Sequence, residues 1–507
     1  MTLADHLPIL PVAIPALAAP FALLAMRRRR VLALGIALVS SLAQLACALA
    51  LMARVADGTI LAYALGDWPA PFGIVLVADR LAALMLVLVA ALALIALLHA
   101  VLTRADRKGW HFHPLFQFQL MGLNGAFLTA DLFNLFVFFE VLLIASYGLM
   151  LHGQGPARLK AGVQYVVVNL VGSSLFLIAL GMLYALTGTL NMADMGMAVS
   201  VTAPEDQGML RIAGLLLASV FAIKAAVVPL HLWLARTYAA ATPAVAALFA
   251  ILTKVGVYSL IRVVPQVFGE GAGAAAWVPA PWLWPAALAT AVVGFVGVFT
   301  ARSLSEQAAY SVIGSTGTLL IAVAGWSAAS LGAGLYYLVH STLAGAALFL
   351  VSDVAARRRG AYADNAAAGP AFAGRGVAAL LFMAAAIAAT GLPPLSGFIG
   401  KLLILKSAAA FPDWGWAWGV ILVTTFIGVI GFARTGSAVF WKATEGAVPP
   451  APANARDLLA PALALALLAA LSAGAGPVSA YADAAAAQVL DPAQSAAAVL
   501  TPTEGAP

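Results

Sequence analysis

The sequence predicts an all-α polytopic membrane protein with about fourteen transmembrane helices. Of its 507 residues, 64% are hydrophobic and only 9% are charged. The charges cluster between long apolar runs instead of recurring at the spacing of an amphipathic surface helix. Both observations exclude an ordinary soluble domain and favour a chain that crosses the bilayer many times.

Fourteen apolar runs are each long enough to cross about 30 Å of hydrocarbon. The fourth and fifth are separated only by Ala130 and Asp131, and Pro393 and Pro394 interrupt the long twelfth run. The predicted spans are 7–26, 31–54, 78–103, 114–130, 131–151, 161–188, 209–234, 241–264, 281–301, 307–325, 331–355, 373–409, 414–441 and 457–475.

The loops between these spans alternate in charge, which fixes a predicted orientation. Loops after odd-numbered spans carry Lys and Arg, as at 27–30 and 357–359, whereas those after even-numbered spans are mostly acidic. Since cytoplasmic loops hold the excess of basic residues, both termini are expected on the outer face of a bacterial inner membrane. The first span has basic residues after it and none before it, the opposite of a secretory signal.

Composition also limits cofactors and partners. The net charge of +6 comes from cations in loops, so no nucleic-acid partner is implied. Cys47 is the only cysteine, which excludes an intrachain disulfide or a cysteine-held metal cluster, and no cofactor or metal is expected. His111 and His113 lack a nearby carboxylate or cysteine and are interpreted as an interfacial loop. The Ala- and Pro-rich last thirty residues are expected to form a poorly ordered tail or a short surface helix.

Two lysines stand deep in apolar sequence, where a charge is costly. Lys224 and Lys254 lie mid-segment in the seventh and eighth spans, and a charge at mid-bilayer costs roughly 2.5 to 3.5 kcal/mol. Pro229 removes a helix hydrogen bond, which a membrane tolerates where the freed backbone is buried or lines a cavity. Snorkelling to an interface is the structural alternative, but mid-segment positions favour an ion path.

The twelfth span repeats this combination. Its sequence TGLPPLSGFIGK combines Pro393 and Pro394 with Lys401. Lys406 follows within two turns and is the lysine expected to extend to the interface. The seventh and twelfth spans are five apart, and an odd offset inverts one unit relative to the other. This pattern indicates an inverted repeat with a discontinuous helix in each half, an architecture of secondary transporters.

Four segments carry a resemblance to a known family: FVFFEVLLIASYGLM, FAIKAAVVPLHLWLARTYAAATPAVAALFAILTKVGVYSLIR, LYYLVHSTLAGAALFLVSD and GLPPLSGFIGK. They resemble the antiporter-like membrane subunits of respiratory complex I and of the multisubunit Mrp/Pha cation/proton antiporters. Within that set the chain is most similar to the D subunits of the Mrp/Pha type.

The resemblance covers about residues 75–445 and implies two inverted five-helix repeats, 111–265 and 278–445. They would follow an N-terminal three-helix segment, 1–110, and precede a last helix and flexible tail, 446–507. Matching positions imply a proton path through Glu140, Lys224, Lys254 and Lys401. The eleventh span departs from many relatives, since it has Gly345 near the position of their lysine and retains only His340.

The residues themselves suggest how such a path works. Burial disfavours a charged amine, so a buried lysine can load and release a proton as the neighbouring charge changes. Glu140 is the one carboxylate well inside an apolar run, and an anion about 4 to 6 Å from Lys224 would hold its proton. His231 and His340 either titrate in the same relay or serve as hydrogen-bonded packing residues.

Three functions remain open at this point. The first is a proton-translocating subunit of a multisubunit Na⁺(K⁺)/H⁺ antiporter, a secondary transporter and not an enzyme, whose partners are other subunits, monovalent cations, protons and the lipid bilayer. The alternative is a proton-pumping membrane subunit of NADH:quinone oxidoreductase or of a membrane-bound hydrogenase. The third is a scaffold subunit that has lost its path.

Overall fold

The structure, a computed structural model, describes residues 5–27, 29–444 and 454–500 and is mostly helical. Its α-helices in chain order are α1 (Leu10–Met26), α2 (Arg30–Arg54), α3 (Arg80–Leu102), α4 (Phe112–Leu128), α5 (Leu132–Leu151), α6 (Pro156–Thr187), α7 (Met192–Ser200), α8 (Gln207–Lys224), α9 (Leu234–Ala240), α10 (Pro243–Phe249), α11 (Leu252–Phe268), α12 (Ala280–Thr300), α13 (Leu304–Val323), α14 (Ala328–Arg358), α15 (Arg375–Thr390), α16 (Ser396–Ala408), α17 (Trp414–Gly436), α18 (Leu459–Ala473), α19 (Ala475–Val489) and α20 (Pro492–Leu500).

Ten helices of the described residues are long and apolar enough to cross a membrane, with the α10–α11 pair counted as one. Two shorter apolar helices, Leu10–Met26 and Arg375–Thr390, accompany them. The chain is therefore a multi-pass membrane protein. The predicted boundary between the fourth and fifth spans is confirmed, since Asp131 ends the break and caps α5 by accepting a hydrogen bond from the Asn134 amide at 2.7 Å.

Two spans are broken where the prolines predicted it. The seventh leaves helical geometry between Lys224 and Leu234, and the twelfth does so between Thr390 and Ser396. A third interruption, at Ala250 and Ile251, separates α10 from α11 and was not predicted, because no proline marks it.

Two elements outside the apolar runs were also missed. An antiparallel hairpin joins β1 (Leu61–Ala64) to β2 (Val75–Ala78), and a short parallel pair joins β3 (Gly369–Pro370) to β4 (Ala443–Thr444). These strands lie in connections between predicted spans. Their segments are too short to give a clear alternating pattern.

The core of the bundle is formed by α3, α11 and α14. The most apolar stretch of α14 is 89% buried within the chain and that of α3 78%, whereas the corresponding stretches of α2, α6 and α17 are less than half buried. A helix that is apolar all round and buried all round lies inside a bundle, and an exposed apolar face suits lipid or another subunit.

Of the two expectations for the tail, poor order does not hold for its described residues, which are mostly helical. Residues up to Leu500 form α19 and α20, and α19 buries Ala482, Ala485 and Ala486. Alanine at this spacing lets a helix pack closely, which composition alone does not reveal. Arg28 of the basic loop 27–30, residues 445–453 at the last domain boundary, and the terminal residues 1–4 and 501–507 lie outside the described residues.

Candidate functional site

Three buried lysines stand beside the helix interruptions. Lys224 is the last residue of α8, Lys254 is in the first turn of α11, and Lys401 follows the break that precedes α16. Their relative exposures are 7%, 0% and 5%, so none of them extends to an interface. The snorkelling alternative is wrong for all three, and Lys406, which is exposed, is the lysine that reaches outward from α16.

Lys224 is held by a neutral partner on α6. Its Nζ donates a hydrogen bond to Asn169 Oδ1 at 3.1 Å and lies 5.9 Å from the centroid of the Phe139 ring. Beside it is a cavity of about 20 Å³ that Tyr165, Trp233 and Val255 also line. This volume is enough for one water molecule, and the cavity extends from Lys224 toward the helix that carries Lys254.

Glu140, on α5, is connected to Lys224 by two side chains of α6. The half-buried carboxylate accepts a short hydrogen bond from Ser173, which is four residues after Asn169 and so on the same face of the helix. Within the described parts of the chain, the ion pairs of 4.0 Å or less do not include Glu140. Glu140 and Lys224 therefore face each other across two neutral side chains, Ser173 and Asn169.

Lys254 is the most deeply buried of the three lysines and has the longest hydrogen bond. Its Nζ donates a hydrogen bond to Thr316 Oγ1 at 3.4 Å, which is at the long end of the range. The Thr316 hydroxyl in turn donates to the Val312 carbonyl at 2.9 Å and lies 3.5 Å from Thr253 Oγ1. A desolvated amine with so weak a partner has little to hold a proton in place.

Lys401 donates a hydrogen bond to a backbone carbonyl at the end of α15, where the helix break removes the usual intrahelical partner. Its Nζ donates to the carbonyl of Thr390, the last residue of α15, at 2.8 Å and to Thr425 Oγ1 at 2.7 Å. The carbonyls at a helix C-terminus lack intrahelical partners and carry partial negative charge, which favours a cation. The ring of Phe295 adds a contact, with its centroid 5.0 Å from Nζ.

His340 lies within electrostatic range of both Lys254 and Lys401. The ring is 1% exposed, and its Nδ1 is 2.9 Å from the hydroxyl of Ser396, the first residue of α16. The space beside Gly345 is filled, since a Cβ there would lie 3.1 Å from Val312 and 3.6 Å from Ala250.

His231 makes no hydrogen bond or ion pair with this group among the described contacts. It lies in the irregular segment between α8 and α9, partly exposed, and its Nδ1 has no hydrogen-bond partner among the described residues. The sequence interpretation of His111 and His113 as an interfacial loop is wrong for His113, which is buried in the first turn of α4 and lies 3.4 Å from a carboxylate oxygen of Asp106. Asp106 and His113 are seven positions apart in the sequence, so their contact was not predicted.

The sequence did not predict which neutral residues contact the lysines, Glu140 and His340. Serine and threonine are frequent in these spans, and only the fold selects the ones that meet a lysine. The clearest missed signal is on α6, where Asn169 and Ser173 interrupt an apolar helix at a four-residue spacing. The missed contacts are Asn169, Ser173, Thr316, Thr390, Ser396 and Thr425.

A second set of buried charges, Arg262 and Asp79, is separate from these lysines, and its two members form an ion pair with each other. Arg262 on α11 donates to both oxygens of Asp79, at 2.5 and 2.8 Å, and its Nε donates to the Tyr258 hydroxyl at 3.1 Å. Asp79 also caps α3 by accepting from the Ala82 amide. This bidentate ion pair connects α11 to the start of α3, whereas the three lysines have neutral partners.

These features define a class: a multi-pass membrane protein whose discontinuous helices hold buried protonatable groups, the architecture of secondary transporters. Residues 129–429 match the family model described as NADH:quinone oxidoreductase/Mrp antiporter, TM, and the chain belongs to this family.

Curated relatives support the assignment over most of the chain. The D subunit of a probable K(+)/H(+) antiporter from Rhizobium meliloti is 41% identical over 479 residues, and the match covers 88% of each protein. The D subunit of the Na(+)/H(+) antiporter from Bacillus subtilis is 37% identical over 440 residues, with 86% of this chain and 87% of the relative covered.

Solved structures agree with the fold. A chain in the structure of the Mrp complex from Dietzia sp. DQ12-45-1b superposes with a TM-score of 0.88 at 29% identity, covering 99% of this chain and 100% of that one. A chain of respiratory complex I from Thermus thermophilus gives a TM-score of 0.73 at 23% identity, covering 96% of this chain and 100% of that one, which is a likeness of fold alone.

Proposed function

We propose that this chain is the proton-translocating subunit of a multisubunit monovalent cation/proton antiporter, which exchanges cytoplasmic Na⁺ or K⁺ for external protons. The observation that carries the proposal is the series of buried lysines at helix breaks, none of which has a carboxylate within 4.0 Å among the described residues. Buried ionisable groups in membrane spans mark ion and proton pathways. The names of the curated relatives, each the D subunit of an antiporter, agree with this function.

In the proposed relay the proton passes between Lys224, Lys254, His340 and Lys401. The charge of Glu140 acts on Lys224 through Ser173 and Asn169, and a change in that charge loads or releases the lysine. His340 links the two halves because it interacts with Lys254 and Lys401, while His231 is placed at a peripheral branch. The cavity beside Lys224 has room for a water molecule that extends the path toward α11.

The proposed topology has fourteen spans with both termini on the outer face of a bacterial inner membrane. Two inverted five-helix repeats, 111–265 and 278–445, follow the N-terminal segment 1–110 and precede 446–507. Support comes from the two broken spans, since α8 ends at Lys224 and Lys401 donates to the carbonyl of the last residue of α15. Alternating charge in the loops supports the orientation.

The redox alternative has weaker support. A proton-pumping subunit of NADH:quinone oxidoreductase or of a membrane-bound hydrogenase shares the family and the fold, but the complex I likeness is at 23% identity. The antiporter relatives are at 41% and 37% identity. We therefore favour cation/proton exchange over a redox-driven pump, and we expect the other antiporter subunits as partners.

Transport assays on the purified complex test this proposal. In proteoliposomes with an imposed proton gradient, the complex should exchange protons for Na⁺, K⁺ or Li⁺, and replacing one cation by another identifies the substrate. The chain expressed alone should insert but not exchange, because no cation-selective site is evident among its described residues. Proton movement independent of every monovalent cation would contradict antiport, and robust exchange by this polypeptide alone would contradict its dependence on partners.

A further inference from the structure

A basic pocket outside the relay lies where α2 and α4 begin. The cavity has a volume of about 220 Å³ and is lined by residues of the segments around Arg30 and Arg107. The charge of Arg30 lies 4.5 Å from the centroid of the Trp110 ring, a cation–π geometry that holds the guanidinium in place. Two segments far apart in the sequence thus build one positively charged concavity.

The surroundings of this pocket add positive charge. Arg30 and Arg107 are both exposed, and four further exposed cations follow in the same two segments. These are Arg27, Arg29, Arg104 and Lys108. Each cation near a membrane surface contributes about 1 kcal/mol to attraction of anionic lipid.

Apolar side chains are also exposed near the pocket in sequence, at the end of α1 and the start of α2. Val31 lines the cavity and is 81% exposed, while Leu24 and Leu32 are 62% and 54% exposed. Trp110 is 63% exposed, and exposed tryptophan is typical of the level of lipid headgroups. A free phosphate ion would use the cations but not this apolar surface, so the combination favours a lipid.

The floor of the pocket holds an ion pair with unused polar atoms. His113 Nε2 is 3.4 Å from Asp106 Oδ2, while His113 Nδ1 and Asp106 Oδ1 are buried without a hydrogen-bond partner among the described residues. An unpaired buried polar atom is costly, so a ligand that donates to or accepts from these atoms is stabilised. The Asp106 charge would keep a phosphate toward the arginine side of the cavity.

We propose that this pocket binds the phosphodiester headgroup of an anionic phospholipid, with Arg30 and Arg107 on the phosphate, Trp110 beside the glycerol region and the acyl chains along Val31 and Leu24. The predicted topology puts this pocket on the cytoplasmic side, where basic pockets between transmembrane helices bind such headgroups. The site is separate from the lysine relay.

Native mass spectrometry of the full-length chain in detergent tests the site. The probes are dioleoyl phosphatidylglycerol, dioleoyl phosphatidylcholine and inorganic phosphate. The wild type should bind phosphatidylglycerol more tightly than phosphatidylcholine, and millimolar phosphate should not displace it. Replacing both arginines, R30Q/R107Q, should lower the affinity of the tightest phosphatidylglycerol site about 25-fold, because each charge contributes roughly fivefold. R236Q, which removes an exposed arginine elsewhere, should leave it unchanged.

A second variant tests the placement of the headgroup. D106N removes the negative charge from the cavity and should tighten phosphatidylglycerol binding by a few-fold. Wild-type affinity in R30Q/R107Q, equal affinity for phosphatidylcholine, or full displacement by inorganic phosphate would each overturn the proposal. Unchanged affinity in D106N would refute a headgroup beside that carboxylate. The unfolding midpoint of R30Q/R107Q should match that of the wild type, since the two arginines are exposed.

Discussion

Among the buried charges, the way each is partnered separates structural from functional residues. Arg262 and Asp79 neutralise each other through two hydrogen bonds, whereas Lys224, Lys254 and Lys401 bond to amide, hydroxyl or carbonyl oxygens. A buried charge without a counter-ion is destabilising, so stability alone gives no reason to keep these lysines. The positions of the three lysines could be predicted, because each is a cation inside a long apolar segment. Their partners could not, because the sequence does not reveal which hydroxyl the fold brings near.

The charge of Glu140 is expected to control Lys224. Glu140→Gln keeps the size and the contact to Ser173 but should reduce antiport at least tenfold, whereas Glu140→Asp should retain part of it. A structural pairing predicts instead that Glu140→Ala depletes the folded protein and that adding Lys224→Ala restores it. Subunit abundance and cation-dependent proton movement are measured together in everted vesicles. Wild-type antiport by Glu140→Gln at normal abundance would exclude the charge switch.

At the scale of elements, the helix breaks determine where the site forms. Pro393 and Pro394 allowed the break before α16 to be predicted, but the interruption between α10 and α11 has no sequence marker. The break before α16 also depends on close packing. A Cβ on Gly397 would lie 2.2 Å from the Ala388 carbonyl oxygen and 2.8 Å from His340 Nε2. A glycine is therefore needed where α16 passes α15 and the histidine.

Gly397→Ala should destabilise the protein by about 1 to 3 kcal/mol, because the backbone at Ala388 cannot move aside easily. Gly376→Ala is the matched control in the helix on the other side of the break, where a Cβ would meet no described atom within 4 Å apart from its chain neighbours and the backbone of its own helix. The control should be neutral or stabilising by up to about 1 kcal/mol, from helix propensity. Unfolding midpoints in detergent decide the comparison, and equal midpoints for the two variants would contradict the packing argument.

At the scale of the molecule, hydrophobicity and loop charge predicted a polytopic bundle, and the family comparisons agree. Hydrophobicity and loop charge did not predict how the spans and the tail pack against one another. The tail is a case in point, since its alanines form α19 against the bundle, and Tyr481 donates to the Arg80 carbonyl at 3.1 Å. Such a contact spans 401 positions of the chain and leaves no local pattern.

Orientation in the membrane is the corresponding whole-molecule prediction. Reporter proteins inserted in the 27–30 loop and fused after Pro507 should report opposite sides, with the basic loop in the cytoplasm. A third insertion beside Gly360, after the basic end of α14, should agree with the 27–30 loop. If the 27–30 loop and Pro507 report the same side, the count of fourteen spans is wrong.

The most direct test of the relay is Lys254→Met, with Lys406→Met as the control on an exposed lysine. Methionine fills similar space and removes a fully buried amine whose hydrogen bond to Thr316 is 3.4 Å long, so folding should be as stable as the wild type or more so. Lys254→Met should assemble at normal abundance, unfold at or above the wild-type midpoint and lose cation-driven proton movement at least tenfold, while Lys406→Met should transport normally. Wild-type antiport by the assembled Lys254→Met complex would contradict a role of Lys254 in the relay.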